Sequence, residues 1–150
     1  MAHACFDLMP EVDLTNEKTY HQCVIRSDIR QLRIPQRVVI QEAARHHFTA
    51  QAIFAIRLAL EETLANAVKH GNRQDPNKRV IVRYAIDAER AVIIVRDEGG
   101  GFIPEEVPDC TCTERLAVPN GRGIMLMRAY MDEVCYRDHG REVYFSKRNA

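Results

Sequence analysis

The chain has 150 residues, and its 21 basic side chains balance 21 acidic ones. This length and a 46% hydrophobic composition without repeats are typical of one globular domain. The neutral balance provides no basic field for direct nucleic-acid binding, and no apolar run approaches the about 20 residues that a membrane span needs. Because the first residues also lack the features of a secretory signal, we expect a cytoplasmic protein without a membrane segment.

The cysteines are odd in number and scattered, which favours reduced thiols: Cys5, Cys23, Cys110, Cys112 and Cys135. Cys110 and Cys112 are separated by a single residue and have no second pair nearby. This spacing does not fit a zinc site, so we predict none there.

In the first half of the chain, we expect residues 1–18 to form an N-terminal arm and residues 19–150 to form the domain. The β-rich residues 19–28 predict a strand. Pro35 is suited to the start of a helix that runs to about His47, and its predicted apolar stripe consists of Val38, Val39, Ala43, Ala44 and His47. Thr49 is a fair N-cap for a second helix, which Gly71 would end. The apolar residues at helical spacing are Ile53, Ile56, Leu60, Leu64 and Ala67.

In the second half, the runs RVIVRYAID (79–87) and RAVIIVRDE (90–98) predict a hairpin that turns around Ala88 and Glu89. Residues 103–120 contain three prolines and show no period, which is unusual inside a compact domain and often functional. GIMLMRAYMDEV (123–134) predicts another helix, and a closing hairpin follows around His139 and Gly140. We therefore predict an α+β fold, a two-layer sandwich of a mixed, mostly antiparallel sheet and a helical layer.

Glu62 and Asn66 are four residues apart on the second helix, so their side chains project together. An amide oxygen suits Mg²⁺, which takes its other ligands from phosphates and water. A carboxylate one turn away can orient or deprotonate an attacking hydroxyl. Taken alone, the pair is more typical of a solvated polar face.

Two glycine-rich segments follow. In VRDEGGGF, Asp97 ends a strand before Gly99 and Gly101; a carboxylate there suits the exocyclic amine of adenine, although it also fits a simple turn. In NGRGIMLM, the residues Gly121, Arg122 and Gly123 lead into a helix, whose first N–H groups favour a phosphate. The second segment matches neither the Walker A loop nor a dinucleotide fingerprint, so a hinge before a helix is the alternative.

Together and in this order, EETLANAVKHG, DEGGGF and GRGIMLM resemble the N, G1 and G2 boxes of the GHKL ATPase/kinase superfamily, which has the Bergerat fold. The likeness is strongest to the anti-sigma-factor serine/threonine-protein kinases, and it runs from about residue 19 to residue 148. These kinases use ATP and Mg²⁺, phosphorylate a STAS-type anti-anti-sigma protein and sequester a sigma factor, and they tend to form homodimers.

The resemblance implies a role for each matching residue. Glu62 is the implied catalytic base and Asn66 the implied Mg²⁺ ligand. Asp97 is the implied adenine contact, and residues 103–120 are the implied ATP lid. The remaining implied nucleotide-binding residues are Gly99, Gly101, Phe102, Gly121, Arg122 and Gly123. The last strand lacks a threonine near the adenine, for which Ser146 is a candidate substitute.

Three other functions compete with the kinase hypothesis. A nucleotide-dependent partner switch without kinase activity is the main alternative, although the presence of Glu62 favours the kinase. A sensor histidine kinase would need a helical phosphoacceptor module, and a gyrase- or chaperone-like ATPase would need a transducer domain. The sequence contains neither, so both are disfavoured.

Overall fold

The computed structural model describes residues 20–100 and 127–150. The helices are α1 (Arg33–Arg45) and α2 (Ala50–Asn66), and the strands are β1 (His21–Arg26), β2 (Arg79–Ile86), β3 (Arg90–Asp97), β4 (Glu133–Arg137) and β5 (Glu142–Arg148). Residues 127–130 are also helical. Several predictions fall outside the described residues: the arm 1–18, the segment 103–120, Gly101, Phe102, Gly121, Arg122 and Gly123.

The five strands form one sheet in the order β1-β2-β3-β5-β4, and each of the four pairings is antiparallel. Both predicted hairpins are present, with turns at residues 87–89 and 138–141. Helices α1 and α2 form a layer on one face, so the predicted α+β class with a mostly antiparallel sheet is confirmed. No helix in residues 20–100 and 127–150 is long and apolar enough to cross a membrane.

Alternation along the strands separates two apolar clusters. Val95, Ile93 and Phe145 point toward the helices and join the main core with Ile56 and Leu60 of α2. Their neighbours point to the opposite face, where a smaller cluster consists of Tyr20, Ala85, Val92, Ile94, Cys135 and Tyr144. Because side chains alternate with period two, Asp97 at the end of β3 shares the helix face with Val95.

Helix α1 ends two residues earlier than predicted, so part of its predicted apolar stripe is wrong. Val39 and Ala43 are buried, but Ala44 and His47 are exposed. His47 adopts a φ of 58°, its N–H donates to the Ala44 carbonyl, and the Phe48 N–H donates to the Ala43 carbonyl. These bonds form a Schellman motif that stops the helix. The sequence did not reveal it because histidine, rather than glycine, occupies the left-handed position.

Helix α2 begins as predicted at the Thr49 N-cap, whose hydroxyl accepts a hydrogen bond from the Ala52 N–H at 3.1 Å. Ile56, Leu60 and Leu64 are fully buried against the sheet. The helix then widens into a π-helical turn over Ala67–Gly71, which packs against β3. Such turns are frequent at functional sites, and this one begins directly after Asn66.

The predicted C-terminal helix extended too far along the chain. Helical residues end at 130, and Glu133 and Val134 already belong to β4. Met127 and Met131 are buried in the main core. Their packing leaves β4 free to form the edge of the sheet beside β5.

Candidate nucleotide-binding site

The end of the π-helical turn touches the glycine-rich loop that follows β3. A Cβ placed on Gly99 would overlap the carbonyl oxygen of Gly71, and one placed on Gly71 would overlap the carboxylate of Asp97. Gly100, by contrast, has open space around it. Two separate segments can approach this closely only because both positions lack a side chain.

Asn72 connects this contact to the sheet. Its side chain is fully buried; Nδ2 donates to the Arg79 carbonyl and Oδ1 accepts from the Glu98 N–H, both at 2.8 Å. Arg79 begins β2, and Glu98 follows β3, so one amide holds the ends of two neighbouring strands. The Arg79 and Glu98 side chains also pair, with Nη2 and Oε2 3.2 Å apart. This exposed ion pair adds little compared with the buried amide.

Asp97 is an unusual carboxylate because it is only 5% exposed. Burial raises its pKa to about 6, although the Gly99 N–H and the cations Arg141, Arg96 and Lys78 act in the opposite direction. Oδ1 accepts from the Gly99 N–H at 2.8 Å. Oδ2 accepts no hydrogen bond from the part of the chain that the structure describes, so it is the acceptor available to a ligand.

A cavity of about 280 Å³ opens beside Gly71 and Gly100, and its lining also includes His70, Arg73 and Lys78. Three of these residues carry basic side chains. At neutral pH the positive charge of Lys78 favours the ionised form of Asp97. The site therefore combines a buried anion with a basic rim.

Glu62 and Asn66 both lie half-buried near the C-terminal end of α2. Burial raises the pKa of Tyr136 on β4 to about 12; the Arg128 charge lowers it and the Glu62 charge raises it. Glu62 is therefore close enough to this phenol for its charge to act on it. The π-helical turn joins the two groups to the rest of the site, because Asn66 precedes this turn and Gly71, its last residue, touches Asp97.

Ser146 is not a substitute for the missing threonine. It pairs with Val92 in the register of β3 and β5, and Val92 belongs to the outer cluster. Its neighbour Phe145 points into the main core, on the side where Asp97 lies. The sequence interpretation was wrong because it considered position along the strand without the alternation of faces.

The sequence interpretation also missed Asn72 and Arg141, and it treated Gly71 only as a helix end. An asparagine after a glycine is an ordinary turn signal, and nothing in its spacing indicates a bridge between two strands. Arg141 lies 44 residues after Asp97, and only the strand register shows that they are neighbours. The Asp-x-Gly pattern was the one sequence signal that led to this part of the site.

The two loop glycines give a matched test of the close approach. Gly99→Ala should lower the free energy of unfolding by about 1–3 kcal/mol or more, because the added methyl must displace the Gly71 backbone. Gly100→Ala should change it by less than about 0.5 kcal/mol. Urea denaturation measures both, and equal stabilities of the two variants would contradict the described contact.

The buried charge predicts a stability change with a defined pH dependence. The folded state binds the Asp97 proton more tightly than the unfolded chain, so wild-type stability is lost as pH rises from about 4 to about 6. Asp97→Asn keeps an acceptor for the Gly99 N–H and removes the charge. It should be more stable than wild type by up to about 3 kcal/mol at pH 8 and by nearly nothing below pH 4.

Glu89→Gln, an exposed carboxylate in the β2–β3 turn, is the control for this measurement. Its stability relative to wild type should not vary with pH in the same way. If Asp97→Asn were less stable than wild type at pH 8 in urea denaturation, the assigned cost of the buried charge would be wrong.

Comparisons with known proteins found both a family model and similar sequences. The family model of the histidine kinase-like ATPase domain matches residues 25–147. The serine-protein kinase RsbW of Bacillus subtilis (strain 168) is 31% identical over 105 residues, which cover 65% of this chain and 64% of that protein. The anti-sigma F factor of Geobacillus thermodenitrificans is 31% identical over 107 residues, which cover 68% of this chain and 73% of that protein. The chain thus matches slightly less than two thirds of the length of the Bacillus protein.

A solved structure supports the fold. The crystal structure of the RsbU and RsbW domains of Rv1364c from Mycobacterium tuberculosis matches 87% of this chain and 32% of that chain, with a TM-score of 0.59 and 16% identity. At this identity the likeness concerns the fold alone. The family match and the relatives lead to one conclusion: the chain belongs to the histidine kinase-like ATPase domain family, as a member of its anti-sigma-factor serine/threonine-protein kinases.

Proposed function

We propose that this protein is an ATP-dependent serine/threonine protein kinase that acts as an anti-sigma regulatory factor. It phosphorylates a STAS-type anti-anti-sigma protein and sequesters a sigma factor. The observation that supports this most is the buried Asp97 carboxylate at the contact between Gly71 and Gly99. A carboxylate at this position costs stability, so a ligand that uses it explains its presence.

In this proposal Asp97 recognises the adenine. Oδ2 accepts a hydrogen bond from the exocyclic amine, while Oδ1 stays with the Gly99 N–H. The missing side chains at Gly71 and Gly99 let these two segments lie directly against each other and against the Asp97 carboxylate, which holds the carboxylate in place. Gly101, Phe102, Gly121, Arg122 and Gly123 complete the nucleotide site by family resemblance.

Asn66 holds the Mg²⁺ ion in this proposal. Groups of three histidine, cysteine or carboxylate side chains that could bind a metal are absent from residues 20–100 and 127–150. A single amide oxygen at the start of the π-helical turn nevertheless fits Mg²⁺, which prefers oxygen ligands and usually keeps phosphates and water for its other positions. When bound, the ion would neutralise charge on the phosphates.

Glu62 acts as the catalytic base for the acceptor serine or threonine. Phosphoryl transfer depends mainly on positioning and charge stabilisation, and a carboxylate that accepts the hydroxyl proton completes the arrangement. One helical turn separates Glu62 from Asn66, so the base would lie near a Mg²⁺ ion that Asn66 held.

The partner classes rest on the relatives rather than on a surface of this chain. One relative is called a serine-protein kinase, and another is called an anti-sigma F factor. We propose the same two kinds of partner here, together with a homodimer and a cytoplasmic location. A pull-down from native cytosol with and without ATP would identify the bound proteins and provide the substrate for the next test.

Two substitutions on α2 should separate binding from transfer. Glu62→Gln keeps the shape of the side chain and removes the base, so ATP should still bind while transfer falls by roughly 10²–10⁴-fold. Asn66→Ala removes a metal ligand and should weaken both Mg²⁺-ATP binding and transfer. Calorimetry measures the binding, and mass spectrometry of the partner measures the transferred phosphate.

Glu61→Gln is the matched control, because it removes the adjacent but exposed carboxylate of the same helix. It should retain transfer close to the wild-type rate. Transfer by Glu62→Gln at the rate of the control would refute the role of Glu62. A wild-type protein that binds ATP but phosphorylates no captured partner would leave a partner switch without kinase activity.

A further inference from the structure

Arg141, which precedes β5, is the cross-strand neighbour of Asp97. The Asp97 N–H donates to the Arg141 carbonyl at 2.9 Å, directly beyond the pair Arg96–Glu142 in the register of β3 and β5. Arg141 is two residues before Val143, which points into the main core, so alternation places its side chain on the face of Asp97. Side chains directly opposite each other in such a pair lie close enough to interact.

The Arg141 guanidinium reaches beyond Asp97 to the glycine-rich loop. Nη2 donates to the Gly100 carbonyl at 3.4 Å, and Nη1 lies 3.8 Å from Asp138 Oδ1. The Nε atom is buried and has no hydrogen-bond partner in the described parts of the chain. The positive charge of Arg141 also favours the ionised form of Asp97.

The turn that carries Arg141 is held in a restricted conformation. Asp138, His139 and Gly140 all have positive φ, between 50° and 82°. Asp138 Oδ2 accepts from Arg96 Nη2 at 2.6 Å, which ties the turn to β3. Non-glycine residues keep such a backbone only when their surroundings fix it. Arg141 is therefore presented to the loop from a firmly held hairpin.

We propose that Arg141 is a positioning residue for nucleotide binding: it fixes the loop Asp97–Gly100 through the Gly100 carbonyl and keeps Asp97 in its hydrogen-bond-accepting ionised state. This inference rests on the proposed adenine contact of Asp97 and adds a second strand hairpin to the site. Asn72 holds the loop from the helix side, and Arg141 holds it from the hairpin side.

Other groups near Asp97 also influence its ionisation, and they must be separated from Arg141. They come from the π-helical turn and its loop, from β3 and from the hairpin: His70, Arg73, Lys78, Arg96, Glu98 and Asp138. Arg96 forms ion pairs with Asp138 and Glu142, and Lys78 lines the cavity. Of the three cations that favour the ionised form of Asp97, Arg141 is the one with a hydrogen bond to the loop.

The test is calorimetric titration of ADP into the whole protein between pH 5 and pH 8.5. It compares wild type with Arg141→Gln, Arg141→Lys and the control Arg148→Gln, which removes an exposed charge at the other end of β5. Protonation of the ADP phosphates is common to all variants. A difference between Arg141→Gln and Arg148→Gln therefore reports on Asp97 and its loop.

Wild type and Arg148→Gln should lose affinity together as pH falls through about 6, where Asp97 gains its proton. Arg141→Gln should bind on the order of 2- to 10-fold more weakly at pH 8, the range for one lost hydrogen bond. Its pH midpoint should lie higher, because the carboxylate has lost a stabilising cation. Arg141→Lys should keep the wild-type pH midpoint, but its affinity for ADP should be lower than that of wild type.

The proposal would be overturned if Arg141→Gln bound ADP with the same affinity, and lost it at the same pH midpoint, as Arg148→Gln. If Arg141→Gln does not fold, Arg141→Lys with full wild-type affinity would overturn it equally. A wild-type protein that binds no ADP at any pH would refute nucleotide binding itself, and the proposal with it. The measurement is independent of phosphate transfer, so the proposal for Arg141 would still hold if the protein bound nucleotide but were not a kinase.

Discussion

The close approach of Gly71 to Gly99, with the Asp97 carboxylate against both, is the constraint on which the site depends. It joins the end of α2 to the end of β3 through backbone atoms, so neither position tolerates a side chain. Asn72 then uses both ends of its buried amide to fix the neighbouring strand ends. The helix that carries Glu62 and Asn66 is thereby placed in a fixed relation to the carboxylate.

This arrangement keeps a charge where the fold alone would not favour one. Burial raises the pKa of Asp97 to about 6, and the surrounding cations reduce the penalty without removing it. An asparagine would satisfy the same loop N–H at a lower cost in stability. A ligand that donates a hydrogen bond, such as the proposed adenine amine, would explain the charge at this position.

Local signals in the sequence were sufficient to predict most of the helices and strands and the position of Asp97 at a strand end. Thr49 capped its helix, the β-branched runs formed a hairpin, and Asp97 emerged at a strand end as expected. The errors arose where tertiary structure decides. His47 ends α1 without a glycine, Ser146 faces away from the site, and Arg141 meets Asp97 only through strand register. No local pattern encodes these three facts.

The most direct measurement of the central claim is a comparison of ATP and GTP binding by the wild-type protein at pH 8. Guanine presents a carbonyl oxygen where adenine presents its amine, so it would place an acceptor against the ionised Asp97. We expect ATP to bind at least about tenfold more tightly than GTP, since an unpaired buried charge typically costs more than about 1.4 kcal/mol. Equal affinities for the two nucleotides would contradict adenine recognition by Asp97.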